Sequence, residues 1–436
     1  MRIKLPHHIY KKLEDFLPFE IYGYVTKVLG LTIESSGPLL RVGELCKVVG
    51  RDTELLAEVV GFKEERLLLT ALNEIRGLEI GARVIPLGIS NAPVGEEFVG
   101  RVVNALGEPL DQKPKPRPTD FYPLYGDPLK PLERERISEV LDVGVKAINA
   151  LLTIGCGQRV AIMAGSGVGK STLLGMIARY TKADINVVAL IGERGREVRD
   201  FIEKDLGEEG LRRSIVVVAT SDESPALRIR AAFYATALAE YFRDRGHKVL
   251  LLMDSLTRFC MAGREIGLAG GEPPTARGYT PSVFAMLPRL LERAGPKVKA
   301  GSITGIYTVL VEGDDVNDPI ADAVRSIVDG HIVLSRELAQ EGHYPAIDVL
   351  SSISRVMKDI VSKEHLKLYQ RAISVLATYK RAEDLINIGA YVKGSNPEID
   401  KALELMPKLR EFLRQDLDEG YSFDESYQKL KEILRD

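Results

Sequence analysis

Residues 159–180 read RVAIMAGSGVGKSTLLGMIARY: an apolar run, a glycine-rich turn, then a helix-forming stretch. A loop that cradles phosphate turns from a strand into a helix, so that backbone N–H groups and the helix N-terminus face the anion. In AGSGVGKST (164–172), Gly165, Gly167 and Gly169 allow that close wrap, because a Cβ would obstruct it or forbid the dihedrals. Lys170 then reaches the β and γ phosphates, and the Ser171 hydroxyl can coordinate Mg²⁺. Ser166, Val168 and Thr172 complete the phosphate-binding stretch. The loose form of the motif opens with Gly, where this chain has Ala164; that position ends the strand and does not cradle phosphate.

Outward from this loop the texture is α/β. INVVALIG (185–192), SIVVVAT (214–220), KVLLLMD (248–254) and TGIYTVLV (304–311) are further continuous apolar runs. Helical stretches separate several of them, notably 225–245, where Leu227, Ala231, Tyr234, Ala235 and Leu238 share a face. Such runs alternating with helices predict a parallel sheet covered on both faces.

Three further segments carry candidate chemistry. In KVLLLMDSLTR (248–258), five apolar residues lead to Asp254 at a strand's C-terminal end, the Walker B pattern, whose carboxylate belongs beside Mg²⁺ and its waters. Taken alone, that pattern serves structure as often as chemistry. In VVALIGERGREVRD (187–200), Glu193 sits at a strand exit, where open α/β sheets bind ligands, and a carboxylate there can polarise an attacking water. The same residues also read as a surface cluster of self-paired charges. In HYPAIDVLSSISR (343–355), Tyr344 can stack on a base and Arg355 can neutralise phosphoryl charge, although a Tyr-Pro turn and one Arg are ordinary by themselves.

The chain has 436 residues, with 59 Lys plus Arg against 62 Asp plus Glu and a formal charge of −3. At roughly 100–200 residues per domain, several domains are expected. The balanced charge gives no whole-chain reason to expect nucleic acid. Three widely spaced cysteines exclude a disulfide framework, and the six histidines lack metal-ligand spacing. No run of about 18 apolar residues occurs, and the expected compartment is the cytoplasm.

The predicted organisation has four parts. Residues 1–18 form an amphipathic helix that either docks a partner or packs on its own body. Residues 19–95, with short apolar runs such as GYVTKVLG and RLLLTAL, form a small β-barrel. Residues 96–350 form the nucleotide-binding α/β domain, entered through a segment with seven prolines between Pro109 and Pro131. Residues 351–436, with three Gly and two Pro, form a helical domain. REIGLAGGEPPTARG (264–278) reads as a long flexible loop.

Taken together, AGSGVGKST, GERGREVRDF, DSLTRFCMAGREIGLAGGEPPTARGYTPSVF, LSRELAQEGHYPAIDVLSSISRV and GAYVKGSNPEID resemble the flagellar type III export ATPases. That family is shared with injectisome ATPases and rotary ATP synthase subunits. The resemblance runs nearly end to end and implies a RecA-like core that binds ATP and Mg²⁺. It further implies that Glu193 is the catalytic carboxylate with Arg194 beside it at the γ-phosphate, and that Glu197 and Asp254 act through the magnesium's water shell. Tyr344 matches the aromatic that stacks on adenine, Tyr391 a second wall, and Arg355 an arginine finger reaching the neighbouring subunit's site. A homohexameric ring follows from that sharing. The implied partners are a coiled-coil stalk, a stator-like regulator at the N-terminal helix, an export gate and chaperone–substrate complexes. The implied location is the cytoplasmic side of the inner membrane, held peripherally. An injectisome ATPase, a rotary synthase subunit and a Rho-like nucleic-acid translocase are the alternatives.

Overall fold

The computed structural model describes residues 21–311 and 318–435; the amphipathic segment expected over 1–18 lies outside them. The chain divides into two compact units, the first reaching Ser90 and including Ala269–Gly271, the second comprising the remainder.

The first unit is a closed barrel of six strands: β1 (Gly23–Leu29), β2 (Thr32–Ser35), β3 (Glu44–Val49), β4 (Glu54–Lys63), β5 (Arg66–Ala71) and β6 (Arg83–Ile89). Their order around the barrel is β1-β2-β5-β4-β3-β6, and all pairings are antiparallel. Alternate residues such as Val25, Ile33, Cys46, Val48, Ala57, Leu69 and Val84 are buried in its interior. The sequence alternation therefore does what a barrel requires, with one face of every strand turned inward.

The second unit begins with β7 (Asn91–Val94), β8 (Arg101–Asn104) and β9 (Asp120–Pro123), of which β7 and β9 form a separate antiparallel pair. The large sheet contains β8 and eight later strands: β10 (Arg159–Ala164), β11 (Ile185–Ile191), β12 (Ser214–Ala219), β13 (Lys248–Asp254), β14 (Gly295–Pro296), β15 (Ser302–Leu310), β16 (Gly330–Leu334) and β17 (Ile347–Ser354). Its order is β17-β16-β10-β15-β13-β11-β12-β8, with β14 paired to β15. The strands from β16 to β8 run parallel, while β17 and β14 are antiparallel additions. All five apolar runs read from the sequence are strands of this sheet.

Helices cover both faces, as a parallel sheet with apolar residues on either side demands. The helix Pro225–Arg243 is buried along nearly its whole length and packs with Leu256–Ala269, Pro281–Leu291 and Pro319–Ile327 on one face. On the other face lie Lys146–Leu151 and Lys170–Tyr180, together with the C-terminal helices Lys363–Asn387, Pro397–Leu413 and Phe423–Ile433. Leu376, Leu405, Leu409 and Leu430 share one continuous apolar core with Ile162, Leu190 and Leu252 of the sheet.

The loop expected over 264–278 is shorter than the sequence suggests. Helix Leu256–Ala269 continues through its first six residues, and only the part beyond is irregular. Gly267 misleads because it serves packing: a Cβ there would lie 2.4 Å from Thr280 Oγ1.

One buried ion pair ties the covering helices together. The fully buried Arg293 donates through Nε to Glu240 Oε1 at 2.9 Å, through Nη2 to Oε2 at 2.5 Å, and through Nη1 to the Leu124 carbonyl at 2.7 Å. Arg293→Ala strands the Glu240 charge and is expected to cost about 3–5 kcal/mol of stability. Exchanging both partners for apolar residues (Arg293→Met with Glu240→Leu) costs much less, and urea unfolding of the two variants measures the difference.

Candidate active site

β10 ends at Ala164, a buried residue whose carbonyl accepts from the Val311 N–H, so its methyl group stays in the sheet as expected. The chain then turns through Gly165, Ser166, Gly167, Val168 and Gly169 into a helix that begins at Lys170. Gly167 and Gly169 have φ of 77° and 89°, a left-handed backbone that an L side chain resists. The helix start leaves the N–H groups of Lys170, Ser171 and Thr172 without intrahelical acceptors, directed toward the loop. Ser171 is exposed on this first turn.

Parallel pairing brings the carboxyl ends of β10, β15, β13 and β11 to one edge of the sheet, and three charged side chains converge there. Lys170 Nζ lies 2.5 Å from Asp254 Oδ1 and 3.7 Å from Glu193 Oε1. Asp254 stands at the end of β13, and its Oδ1 also accepts from Thr308 Oγ1 of β15 at 2.6 Å. β15, inserted between the P-loop strand and the Asp254 strand, thereby helps to orient the carboxylate.

Glu193 follows β11, and its Oε1 is buried without a hydrogen-bond partner. Burial, and then the negative charge of Asp254, push its carboxyl up to about 7, with the Lys170 ammonium opposing them. A carboxyl poised near neutrality at the phosphate end of the sheet is suited to general-base work.

Sequence reasoning missed two neighbours of this centre. Thr308 carried no motif; its signal is its place on the strand beside Asp254. Arg258 follows Asp254 by four residues, and its side chain packs so closely that a Cβ on Gly192 would lie 2.8 Å away. Its Nε is buried without a hydrogen-bond partner, beside the residue that precedes Glu193. The signal was present in DSLTR but was read only as family pattern.

The other expected residues divide. Tyr344 meets the P-loop: a Cβ on Gly169 would lie 3.4 Å from its ring, which remains 44% exposed. Arg194 and Glu197 are exposed at the start of helix Gly195–Asp200, 3.7 Å from each other. The Tyr391 hydroxyl donates within its own region, to the Asn396 carbonyl at 2.9 Å and Asp400 Oδ1 at 3.0 Å. No polar contact among the described residues joins Tyr391 to the P-loop.

Arg355 lies at the opposite end of the sheet from its own P-loop. Leu334 of β16 pairs with Ala164, and Ile347 of the antiparallel β17 pairs with Leu334, so β17 starts at the P-loop end. Ser354 pairs with Gly330 at the far end, and Arg355 follows it. β17 bulges between those pairings, so its ends span the four residue steps of β16, roughly 13 Å.

No group of three or more His, Cys, Asp or Glu able to hold a metal occurs among the described residues. A P-loop magnesium does not need one: Mg²⁺ retains several waters and binds one or two protein oxygens plus phosphate oxygens. The Ser171 hydroxyl and the Asp254 carboxylate fit that donor set.

A left-handed glycine loop opening a helix, an aspartate two strands away across an inserted strand, and a largely buried glutamate at the end of the strand beyond it define a P-loop ATPase with a RecA-like sheet. Residues 144–354 match the ATP synthase alpha/beta family nucleotide-binding domain, 25–88 the beta-barrel domain of that family, and 361–432 the T3SS EscN ATPase C-terminal domain. The chain is 54% identical over 419 residues to the flagellum-specific ATP synthase of Bacillus subtilis, covering 95% of each. It is 49% identical over 418 residues to the type 3 secretion system ATPase of Xanthomonas euvesicatoria, covering 95% of this chain and 94% of the relative. The assembled ATPase EscN from the enteropathogenic E. coli type III secretion system superposes with a TM-score of 0.90 at 45% identity, over 95% of this chain and 100% of that one. EscN in complex with its central stalk EscO gives 0.88 at 44% identity, with the same coverage. The chain belongs to the ATP synthase α/β family, within its flagellar and type III secretion ATPase branch. It is an ATP-hydrolysing motor subunit related to both.

The raised carboxyl of Glu193 has a consequence for stability. The folded protein holds this proton more tightly than the unfolded chain, whose ordinary value is 4.5. The contribution is therefore complete below about pH 4.5 and is lost as pH rises through about 7. Glu193→Gln carries no such proton, so its melting temperature is expected to exceed the parent's at about pH 8 and to converge with it near pH 5. Circular dichroism melts at both values check this; equal differences at both would mean that Glu193 ionises normally.

Proposed function

We propose that this protein is the ATPase of a flagellar protein-export apparatus, hydrolysing Mg-ATP at sites shared between neighbouring copies in a homohexameric ring. Lys170 and the backbone of 165–172 hold the β and γ phosphates, and Tyr344 stacks on the adenine. Ser171 would hold the magnesium, with Asp254 and Glu197 acting through its waters; when bound, the ion supplies charge neutralisation on the phosphates. Glu193 takes up the proton of the attacking water, with Arg194 beside it at the γ-phosphate. Tyr391 is a second adenine wall if its loop closes over the base.

The observation that carries the shared site is the register of β17. It supports Tyr344 serving the chain's own nucleotide while Arg355, at the far end of the same strand, serves the next copy's. Phosphoryl transfer depends on positioning and charge neutralisation more than on covalent chemistry, and an arginine supplied in trans contributes roughly 10³–10⁵ in turnover. A solitary copy lacks that contribution.

The same reading carries the partners: a coiled-coil stalk through the ring, a stator-like regulator at the N-terminal segment, and an export gate with chaperone–substrate complexes. EscN's complex with its central stalk EscO supports the first of these. The proposed reading also has the protein in the cytoplasm, peripheral to the inner membrane, with no nucleic-acid partner. Flagellum-specific relatives run from 54% down to 45% identity and the Xanthomonas secretion ATPase stands at 49%; the flagellar assignment leans on the relatives above it, at 54%, 52% and 51%. Purification from the source cells with flagellar export components, as against injectisome components, separates those two.

Mixing tests the shared site. Lys170→Ala and Arg355→Ala proteins are each expected to be inactive alone. Equal mixing restores both intact halves at one interface in four, giving about a quarter of parental activity. Absence of any recovery in rings shown to contain both variants would remove Arg355 from the neighbour's site.

A further inference from the structure

Helix Pro397–Leu413 is followed by a turn, 414–421, that holds the nucleotide-binding core at two places far apart in the sequence. At its centre is Gln415, 5% exposed. Its Oε1 accepts from the Lys146 N–H at 2.8 Å, and its Nε2 donates to the Gly144 and Glu419 carbonyls, both at 2.8 Å. The carboxamide thus uses both donors and one acceptor site, an arrangement that fixes its orientation. Tyr421 N–H reinforces it by donating to the Gly144 carbonyl at 3.0 Å, and the Lys146 ammonium lies 4.6 Å from the Tyr421 ring centroid.

Held in this way, Gln415 turns its backbone N–H onto the carbonyl of Tyr344 at 3.0 Å. Tyr344 is the residue whose ring lies against Gly169 of the P-loop. The C-terminal helical region therefore meets Tyr344 through a main-chain hydrogen bond, and that contact is set by one buried side chain.

We propose that Gln415 is a positioning residue for nucleotide binding: by anchoring the 414–421 turn to Gly144 and Lys146, it holds the Tyr344 ring where a base stacks. This rests on the reading of Tyr344 as the base-stacking residue. Gln415 does not touch the nucleotide; it acts through the Tyr344 carbonyl. Loosening it lets the ring leave the P-loop while Lys170, Asp254 and Glu193 stay in place. The effect falls on the base, not on the phosphates.

The test compares Gln415→Leu, Gln415→Met and Tyr344→Ala in the full-length protein, with ring assembly checked at the assay concentration. Stacking accounts for a large part of base affinity, so Gln415→Leu and Gln415→Met should raise KM for ATP roughly tenfold with kcat within about twofold. Competitive inhibition by inorganic tripolyphosphate, which has no base, should be unchanged. Tyr344→Ala should show the same pattern, and Gln415→Leu combined with Tyr344→Ala should be no worse than Tyr344→Ala alone.

A merely structural role predicts lower kcat, or equal weakening of ATP and tripolyphosphate, and either result overturns the proposal. If Tyr344→Ala raises KM and neither Gln415 variant does, the positioning role fails while the stacking reading stands. If Tyr344→Ala leaves KM unchanged, the stacking reading fails and the proposal falls with it.

Discussion

The constraint on which this structure depends is the parallel run of β10, β15, β13 and β11, whose carboxyl ends share one edge of the sheet. Parallel pairing requires crossover helices, and those helices make every strand apolar on both faces. Polar side chains at the strand ends are then the only ones the sheet can present together. Lys170 and Glu193 lie 84 and 61 residues before Asp254 in the sequence, yet both carboxyl groups come within 3.7 Å of the one ammonium. One cation there faces two carboxyl groups, and burial settles the excess by keeping a proton on Glu193 more readily than water would. The same burial that completes the sheet's core thus tunes the group expected to act on water.

The second structural theme is the absence of a separate core for the C-terminal helices. Their buried leucines continue the apolar layer on one face of the sheet, so these helices belong to the same packed body as the P-loop helix. Close-packed layers transmit displacements because they have little free volume. A force applied to helix Pro397–Leu413 is therefore carried to the strand ends through side-chain packing and through the hydrogen-bonded turn at Gln415. Gly144 helps this docking: a Cβ there would lie 2.2 Å from Tyr180, so the segment accepting the turn approaches the P-loop helix as closely as backbone allows.

Much of this was legible in the sequence, for physical reasons. Buried parallel strands are continuous apolar runs, and RVAIMA, INVVALI and KVLLLMD have no other comfortable home. Gly167 and Gly169 stand where the left-handed turn occurs. The strand β17 was not read as one, because an edge strand buries few of its residues and IDVLSSIS shows no apolar run. Gly267 resembled a loop residue because glycine chosen for close helix packing looks the same in sequence as glycine chosen for a turn. Gln415 and Thr308 were invisible, since their roles depend on main-chain atoms or carboxylates brought near only by the fold.

The edge strand that the sequence concealed joins the two halves of the proposed ring chemistry. β17 is held on one side by β16 alone, and it carries Tyr344 before its first residue and Arg355 after its last. β17 is pinned to β16 at both ends, Ile347 to Leu334 and Ser354 to Gly330, so a displacement at one end is passed to the other through the bulge between them. In a ring with shared sites, a base drawing Tyr344 toward one P-loop would move the arginine presented to the next. Occupancy of one site would then bear on the chemistry of its neighbour through a single element, without any rearrangement of the sheet. The C-terminal turn grips the same element at the Tyr344 carbonyl, which gives the helical region access to both sites through one strand.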